Sequence, residues 1–344
     1  MHPDIELAAE RLGLSDTLVS LRAAAEHSVK LLDNATAWLT KFLDPSQSQC
    51  LDVVVLGSFA RQEASSESDF DYLVVAYGIP PNVAMTRDLL KAVDQFIVES
   101  FPDTNEPGKK RRPGTTGLFG RITSAADLTE RIGLEQDTNL SHSRRVLLLQ
   151  ESVSIYRPDL REQLLRSMLE RYLVDYKVPK PGVPRFLAND LIRYWYTLAV
   201  DYQAKRWEDA FSFGLRYLKL IISRKIAYAG TMVSILMCRE ATPDYFLDQF
   251  QKPPLARIAQ LINLDQDVSP DTIGNILTIA EQFSEYLRDP LRRKEAQSVE
   301  SLNLEEQPDS FQEMRRKGDN LQVALQDLFF NSFLRDSAQR YLAF

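Results

Sequence analysis

The sequence contains few of the residues that build disulfide frameworks or zinc sites. Its 344 residues include two cysteines, Cys50 and Cys238, and three histidines. Two cysteines in a chain of this length do not make a disulfide framework, and this usage is typical of a protein in a reducing compartment. His142 has no second histidine near it in the sequence, which argues against a zinc site. We therefore expect a cytoplasmic protein without structural zinc.

Long apolar runs and an excess of positive charge are also missing. No stretch approaches the roughly 18 uninterrupted apolar residues of a transmembrane helix. The acidic residues Asp4, Glu6 and Glu10 are not typical of a secretory signal peptide. A formal net charge of −7 argues against a protein that coats nucleic acid, although a local basic groove is compatible with it. The sequence predicts a protein that does not associate with membranes.

What the chain does contain is an ordinary globular composition and a clear order of patterns. Hydrophobic residues make up 44% and charged residues 26% of a length sufficient for two domains. Strand-like runs occur in the first half of the chain. From residue 159 onward the apolar spacing is helical, except for a charged stretch at 289–310 that we expect to be an exposed connector.

The most informative stretch is residues 51–75, LDVVVLGSFARQEASSESDFDYLVV. Its β-branched start, 51–56, predicts a buried strand. The run ends at Gly57 and Ser58, where a backbone without a Cβ can approach a ligand and a hydroxyl can point at it. A second apolar strand is predicted at 72–75.

Two carboxylates precede this second strand. Asp69 and Asp71 are two residues apart, so on a strand their side chains point to the same face. Parallel carboxylates repel each other unless a cation lies between them, and oxygen ligands beside phosphates are typical of Mg²⁺ sites. The sequence therefore predicts a phosphate-approach turn and a pair that holds Mg²⁺, with Mn²⁺ as the alternative ion, on adjacent strands.

These residues together resemble a known signature. The polymerase-β-type nucleotidyltransferase superfamily is marked by G-S-x-A-R-G-E, a short spacer and S-D-x-D, which this chain matches at Gly57-Ser58, Ala60-Arg61, Glu63, Ser68-Asp69 and Asp71. The chain departs from the pattern at Gln62, where many members have glycine. We expect that position to lie in the loop and not on the phosphates.

The resemblance implies an α+β fold. A helical extension over residues 1–27 would precede a small mixed-sheet nucleotidyltransferase domain over 28–157, and an all-helical domain would occupy 158–344. The predicted helix at 28–43 would pack on the sheet. The implied activity is Mg²⁺-dependent transfer of an NMP from a nucleoside triphosphate to an acceptor hydroxyl, with release of pyrophosphate.

The resemblance also implies roles for individual residues. Asp69 and Asp71 would hold the metal ion and form the catalytic pair. The residues implied to bind the nucleotide are Gly57, Ser58, Arg61, Ser68 and, on a helix of the second domain, Lys219.

One expected ligand is not identified. Members of the superfamily commonly carry a third acidic ligand on a strand in the region of the predicted third strand, GLFGRIT at 117–123, which has no acid. Asp127 and Asp137 are the nearest candidates and Glu99 is a further one. Without a third acid, two carboxylates hold one Mg²⁺ but organise a second less well.

Clustered basic residues have two interpretations. The run at 109–112 is either a solvated loop or a basic loop that contacts phosphate, pyrophosphate or an anionic acceptor. Arg144 and Arg145 either form salt bridges to Glu135 or Glu151, or one of them neutralises phosphate.

Three functions remain open at this point. The first is an NMP transferase that acts on a protein, a small molecule or an RNA end. The second is a cyclic-oligonucleotide synthase. The third, motivated by the missing third acid, is a catalytically silent nucleotide-binding or antitoxin-like partner. The sequence does not select the nucleotide, the acceptor or the oligomeric state.

Overall fold

The computed structural model describes residues 1–42, 49–80, 84–100, 118–174, 182–208, 212–264, 267–302 and 307–342. Backbone contacts divide the chain into a sheet unit, Ala25–Lys177, and a helical unit that combines Met1–Ala24 with Val178–Phe344. The divisions thus lie after residues 24 and 177, whereas the sequence predicted domain boundaries after residues 27 and 157.

In the part of the chain that the structure describes, four strands form one mixed sheet. They are β1 (Leu51–Leu56), β2 (Tyr72–Ala76), β3 (Arg121–Ser124) and β4 (Ser152–Ser154), in the order β3-β2-β1-β4. Strand β1 is antiparallel to β2 and β4, and β2 is parallel to β3. The α+β class and the mixed sheet are therefore confirmed.

The first two strands coincide with the predicted ones, but the others differ. The predicted third strand, 117–123, begins at a residue outside those described, and β3 begins only at Arg121. Strand β4 was not predicted, because it has only three residues and follows a helix directly.

Seven helices are described before residue 175. They are α1 (Pro3–Arg11), α2 (Val19–Phe42), α3 (Gly57–Ala60), α4 (Ala84–Ser100), α5 (Ala125–Thr129), α6 (Asn139–Gln150) and α7 (Pro158–Tyr172). The helix predicted from residue 28 is the second part of α2, which begins at Val19.

Helices α2 and α4 cover one face of the sheet. The core on this face combines alternate strand residues, such as Val53, Val55 and Val74, with Leu39 of α2 and Phe96 of α4. Each fully buried aliphatic side chain contributes about 1.5–3 kcal/mol relative to exposure. The prediction that the helix before β1, now part of α2, packs on the sheet is confirmed.

The other face of the sheet is also enclosed over much of its length. Val54, Leu73 and Val75 point to this second face and are fully buried, while α7 contacts β1 and β4 and α5 contacts β3. A strand enclosed on both faces is apolar throughout, and this explains the near-continuous apolar run of β1.

The helical unit has no strand among its described residues. After residue 182 it contains α8 (Arg185–Glu208), α9 (Phe213–Lys219), α10 (Lys225–Leu236), α11 (Pro243–Gln251), α12 (Pro254–Ala259), α13 (Pro270–Arg288), α14 (Pro290–Ser298), α15 (Asp309–Phe330) and α16 (Arg335–Tyr341). A π-helical turn, Leu220–Arg224, joins α9 to α10. In the described ranges no helix has the length and apolarity that a bilayer crossing requires.

The connector expected at 289–310 forms a helix, α14, in its first part, although most residues of this helix are exposed as expected. The Asp289 carboxylate caps this helix by accepting from the backbone N–H of Leu291. Ala296 and Val299 are buried. A Cβ at Gly214 would lie 2.6 Å from the Val299 Cβ, so the glycine permits α9 to approach this segment closely. The segment therefore packs despite its high charge.

Candidate functional site

The turn after β1 brings a glycine against a carboxylate. Gly57 has φ +68°, a conformation that favours glycine. A Cβ built on Gly57 would lie 3.2 Å from Asp71 Oδ2. The Leu56 N–H donates to the Asp71 carbonyl over 2.9 Å. The antiparallel pairing of β1 and β2 thus holds the turn and Asp71 together.

The two predicted metal ligands lie immediately before β2. Phe70, between them, is fully buried in the core shared with α2 and α4. Asp69 is exposed and Asp71 is half-buried. Because side chains alternate along an extended chain, the burial of Phe70 directs both carboxylates to the opposite face of the sheet. Asp71 meets Gly57 on that face, and continued alternation predicts Asp69 on the same face.

Arg61 lies in the interior. The residue is 6% exposed, and its guanidinium forms ion pairs with Glu63 over 2.9 Å and with Glu151 over 2.7 Å. Burial alone would lower the pKa of Arg61, but the two carboxylates outweigh it and hold this pKa above its ordinary value. Arg61 thus connects the turn after β1 to Glu151, the residue that follows α6.

Ser58 and Ser68 differ in their surroundings. Ser58 is half-buried next to Gly57. The Ser68 hydroxyl accepts a hydrogen bond from the backbone N–H of Ser65 over 3.0 Å, which closes the loop between the turn and the acidic pair. The observed hydrogen bond of Ser68 therefore stabilises the loop.

The backbone conformation of Gln62 explains why the signature usually has glycine at this position. Its φ is +60°, in the left-handed region that side chains with a Cβ rarely adopt. Its backbone N–H donates to the Phe59 carbonyl, which completes the turn. Glutamine in place of glycine therefore adds backbone strain to the turn, and the residue lies in the loop as expected.

The candidates for a third acid are not gathered at this site. Asp137 is buried and forms a bidentate ion pair with Arg145, at 2.9 and 2.7 Å. Asp127 is exposed on α5. Glu99 lies on α4, the helix that packs on the opposite face, and accepts from Gln95.

The donor set therefore fits one metal ion better than two. No group of three or more histidine, cysteine or acidic side chains suited to a metal ion is found among the described residues. Two carboxylates on one face suit a Mg²⁺ ion whose remaining ligands are waters and phosphate oxygens.

Arg145 was assigned the wrong partners from the sequence. It pairs with Asp137, not with Glu135 or Glu151, and its Nε donates to the Tyr172 hydroxyl over 2.7 Å. Glu151 pairs with Arg61 instead. The basic run at 109–112 lies outside the described residues.

Sequence reasoning missed Arg121, although the alternation in its strand could have indicated it. Arg121 is exposed on β3 and is the register partner of Leu73 on β2. Lys219 is half-buried at the end of α9 in the helical unit, and its expected contact with triphosphate stays a prediction.

No family model matches the chain, and neither the curated proteins nor the solved structures yield a match. The resemblance to nucleotidyltransferases therefore rests on the signature residues and on the geometry around Gly57.

Proposed function

We propose that the chain is a Mg²⁺-dependent nucleotidyltransferase, which moves an NMP from a nucleoside triphosphate to an acceptor hydroxyl. The observation that carries this proposal is the contact between the glycine turn and the acidic pair. Gly57 is so close to Asp71 that a Cβ would stand 3.2 Å from its carboxylate, and Asp69 shares that face of the sheet. Such a juxtaposition suits a triphosphate bound beside a divalent ion.

The reaction requires four events at the α-phosphorus. The acceptor oxygen forms a bond to phosphorus, the bond to the pyrophosphate oxygen breaks, the acceptor proton passes to solvent, and pyrophosphate leaves. Mg²⁺ bound to Asp69 and Asp71 would neutralise charge on the phosphates. Gly57 would leave room for a phosphate beside Asp71, and the Ser58 hydroxyl would donate to it.

The interior residues have supporting roles in this proposal. Arg61, with Glu63 and Glu151, would keep the turn after β1 in place. Ser68 would hold the loop that leads to Asp69. The acceptor is a protein, a small molecule or an RNA end, and we expect the reaction to take place in the cytoplasm.

A second candidate is a nucleotide-binding protein without turnover. It is favoured by the buried ion pair that occupies Asp137 and by the absence of a third metal-binding acid among the described residues. Such a protein would bind a triphosphate at the same turn and transmit its presence to a partner.

The test uses each nucleoside triphosphate labelled at the α-phosphate, with Mg²⁺. Purified protein is incubated alone and with protein, RNA and small-molecule fractions of a cell extract. We expect labelled NMP on one fraction, and loss of that label in the Asp69→Asn, Asp71→Asn double variant. Asp88→Asn, on α4, changes an exposed acid on the other side of the sheet and should leave transfer unchanged.

Each result selects one function. Short oligonucleotide products would identify the cyclic-oligonucleotide synthase. Binding without turnover would identify the silent protein. Transfer that persists at the wild-type rate in the folded double variant would reject the assigned site.

A further inference from the structure

Strand β3 places Arg121 on the same face of the sheet as Asp71. Strands β2 and β3 are parallel, and Arg121 is the register partner of Leu73. Register partners on neighbouring strands point to the same face, as do residues two apart along one strand. Arg121 therefore shares the face of Asp71, which lies two residues before Leu73.

The separation suits a long side chain. Diagonal neighbours on adjacent strands have Cα atoms about 7–8 Å apart, which long side chains can span. Arg121 is exposed, Asp69 is exposed and Asp71 is half-buried, whereas Leu73 on the same face is fully buried. The accessible end of this face thus presents two carboxylates and one guanidinium.

A second guanidinium lies close to Arg121. Arg144 of α6 is 8% exposed, and its Nε donates to the Leu118 carbonyl over 3.0 Å, which holds α6 against the segment that leads into β3. Burial lowers the pKa of Arg144, and the positive charge of Arg121 lowers it further. Two neighbouring guanidinium groups repel each other, and an anion near them would relieve this repulsion.

We infer that Arg121 binds phosphate oxygens of the nucleotide whose metal ion is held by Asp69 and Asp71. This inference rests on the proposed function and adds a binding residue to it. Guanidinium groups form two parallel hydrogen bonds to phosphate, which an ammonium group cannot do. Arg121 thereby brings positive charge to the phosphates, whereas an acidic residue at this position would repel them.

An alternative use of Arg121 makes the opposite prediction. If its guanidinium instead paired with Asp71, it would compete with the divalent ion. Replacement by alanine would then strengthen metal binding and leave phosphate binding unweakened. The two uses are therefore distinguished by the sign of the change.

The experiment measures binding of inorganic triphosphate in the presence of Mg²⁺ by calorimetry, since this probe requires no knowledge of the base. Arg121→Ala should weaken binding about 10- to 100-fold, as loss of charge-assisted hydrogen bonds does. Arg121→Lys should recover part of the affinity, because it keeps the charge but not the paired hydrogen bonds. Arg87→Ala on α4 changes an exposed arginine behind the sheet and should bind like the wild type.

The outcomes separate this inference from the proposed function. If Arg121→Ala binds within twofold of the wild type while the double variant of Asp69 and Asp71 loses binding, Arg121 has no such role and the proposed function stands. If the wild-type protein does not bind triphosphate with Mg²⁺, both fail. A second titration with Mn²⁺ alone checks that Arg121→Ala leaves the metal affinity unchanged, whereas stronger Mn²⁺ binding would indicate pairing with Asp71.

Discussion

The carboxylates near the two ends of strand β1 differ in their solvent exposure. Near its start, Asp52 is fully buried. Its Oδ1 accepts from the Arg157 backbone N–H over 2.8 Å and from the Ser154 hydroxyl over 2.7 Å, while Oδ2 has no hydrogen-bond partner among the described residues. Burial raises the pKa of Asp52 to about 7. At the other end, Asp71 is half-buried next to Gly57, and Asp69, two residues before it, is exposed.

This difference shows that burial determines whether a carboxylate in the sheet unit is protonated, paired with an arginine or available to an ion from solvent. An enclosed carboxylate must keep its proton or acquire a cation from the protein, because desolvation disfavours its charge. With its pKa raised to about 7, Asp52 keeps its proton below neutral pH, and Asp137 is paired with Arg145. An acid that reaches solvent can bind a metal ion from it without first losing a partner, and Asp69 and Asp71 both reach solvent.

The largest effect is expected where an enclosed acid loses its charge. Asp137→Asn leaves the fully buried Arg145 without its carboxylate. Removing one partner of a buried ion pair costs about 3–5 kcal/mol of unfolding free energy. Chemical denaturation measures this loss.

Asp127→Asn is the matched control, because Asp127 is the other predicted candidate for the third acid and is exposed. It should change stability by less than about 0.5 kcal/mol. An equal loss in both variants would contradict the distinction between enclosed and open acids. A selective loss of NMP transfer in Asp127→Asn would instead make it a catalytic acid.

A large pH effect is expected at Asp52. Its folded-state pKa of about 7 lies above the ordinary value of 3.8. Its contribution to stability is therefore fully present below about pH 4 and is lost as the pH rises through 7, by at most about 4 kcal/mol. The groups that face it are Arg161, whose charge lowers this pKa, and the Tyr77 hydroxyl.

Asp52→Asn should abolish this part of the pH dependence. Unfolding free energies are measured from pH 4 to pH 8, and the difference between variant and wild type should grow in favour of the variant as the pH rises. Asp88→Asn should follow the wild-type curve. Parallel curves for Asp52→Asn and the wild type would show that Asp52 is ionised in the folded protein.

At the open end, Gly57→Ala should disturb both the backbone and Asp71. A left-handed non-glycine residue costs about 1–3 kcal/mol of stability, and the added methyl group would stand 3.2 Å from Asp71 Oδ2. We expect lower stability by denaturation and weaker Mn²⁺ binding by electron paramagnetic resonance.

Gly78→Ala provides the matched control for crowding. Gly78 has φ +64°, and a Cβ there meets no atom within 4 Å. It should lose stability without any change in Mn²⁺ affinity. If both glycine variants bind Mn²⁺ equally well, Asp71 does not contribute to a metal site next to Gly57.

The smallest effect is expected at Gln62. Gln62→Gly relieves the left-handed strain and should stabilise the protein by about 1 kcal/mol, reduced in part by the entropy of glycine in the unfolded chain. Gln95→Gly, on the exposed surface of α4, should instead destabilise it by about 1 kcal/mol. Destabilisation by both changes would show that the Gln62 side chain has a role that its backbone conformation does not explain.

Much of the sheet unit could be predicted because its signals are local. The apolar, β-branched runs of β1 and β2, the glycine between them and the acids two residues apart are all contained in 51–75. The structure places β1 and β2 at the predicted residues. The same local reasoning failed at α14, because a charged segment packs when a distant glycine lets its backbone approach.

The pairing of charges could not be predicted. Arg61 meets Glu151 across 90 residues of sequence, and Asp52 meets the Arg157 backbone across 105. No spacing rule connects such positions. The resemblance predicts a nucleotide-binding role for Arg61, and the sequence leaves Asp137 as a candidate metal ligand. In the structure Arg61 pairs with Glu151 and Asp137 pairs with Arg145.

By itself, the sequence determined the class of the fold and the order of strand, glycine turn and acidic pair, since period and backbone freedom are properties of neighbouring residues. Only the tertiary structure decided which acids are enclosed, which arginines neutralise them and that Arg121 shares a face with Asp71. The physical reason is that the state of a charge depends on its solvent exposure and on partners brought from distant segments.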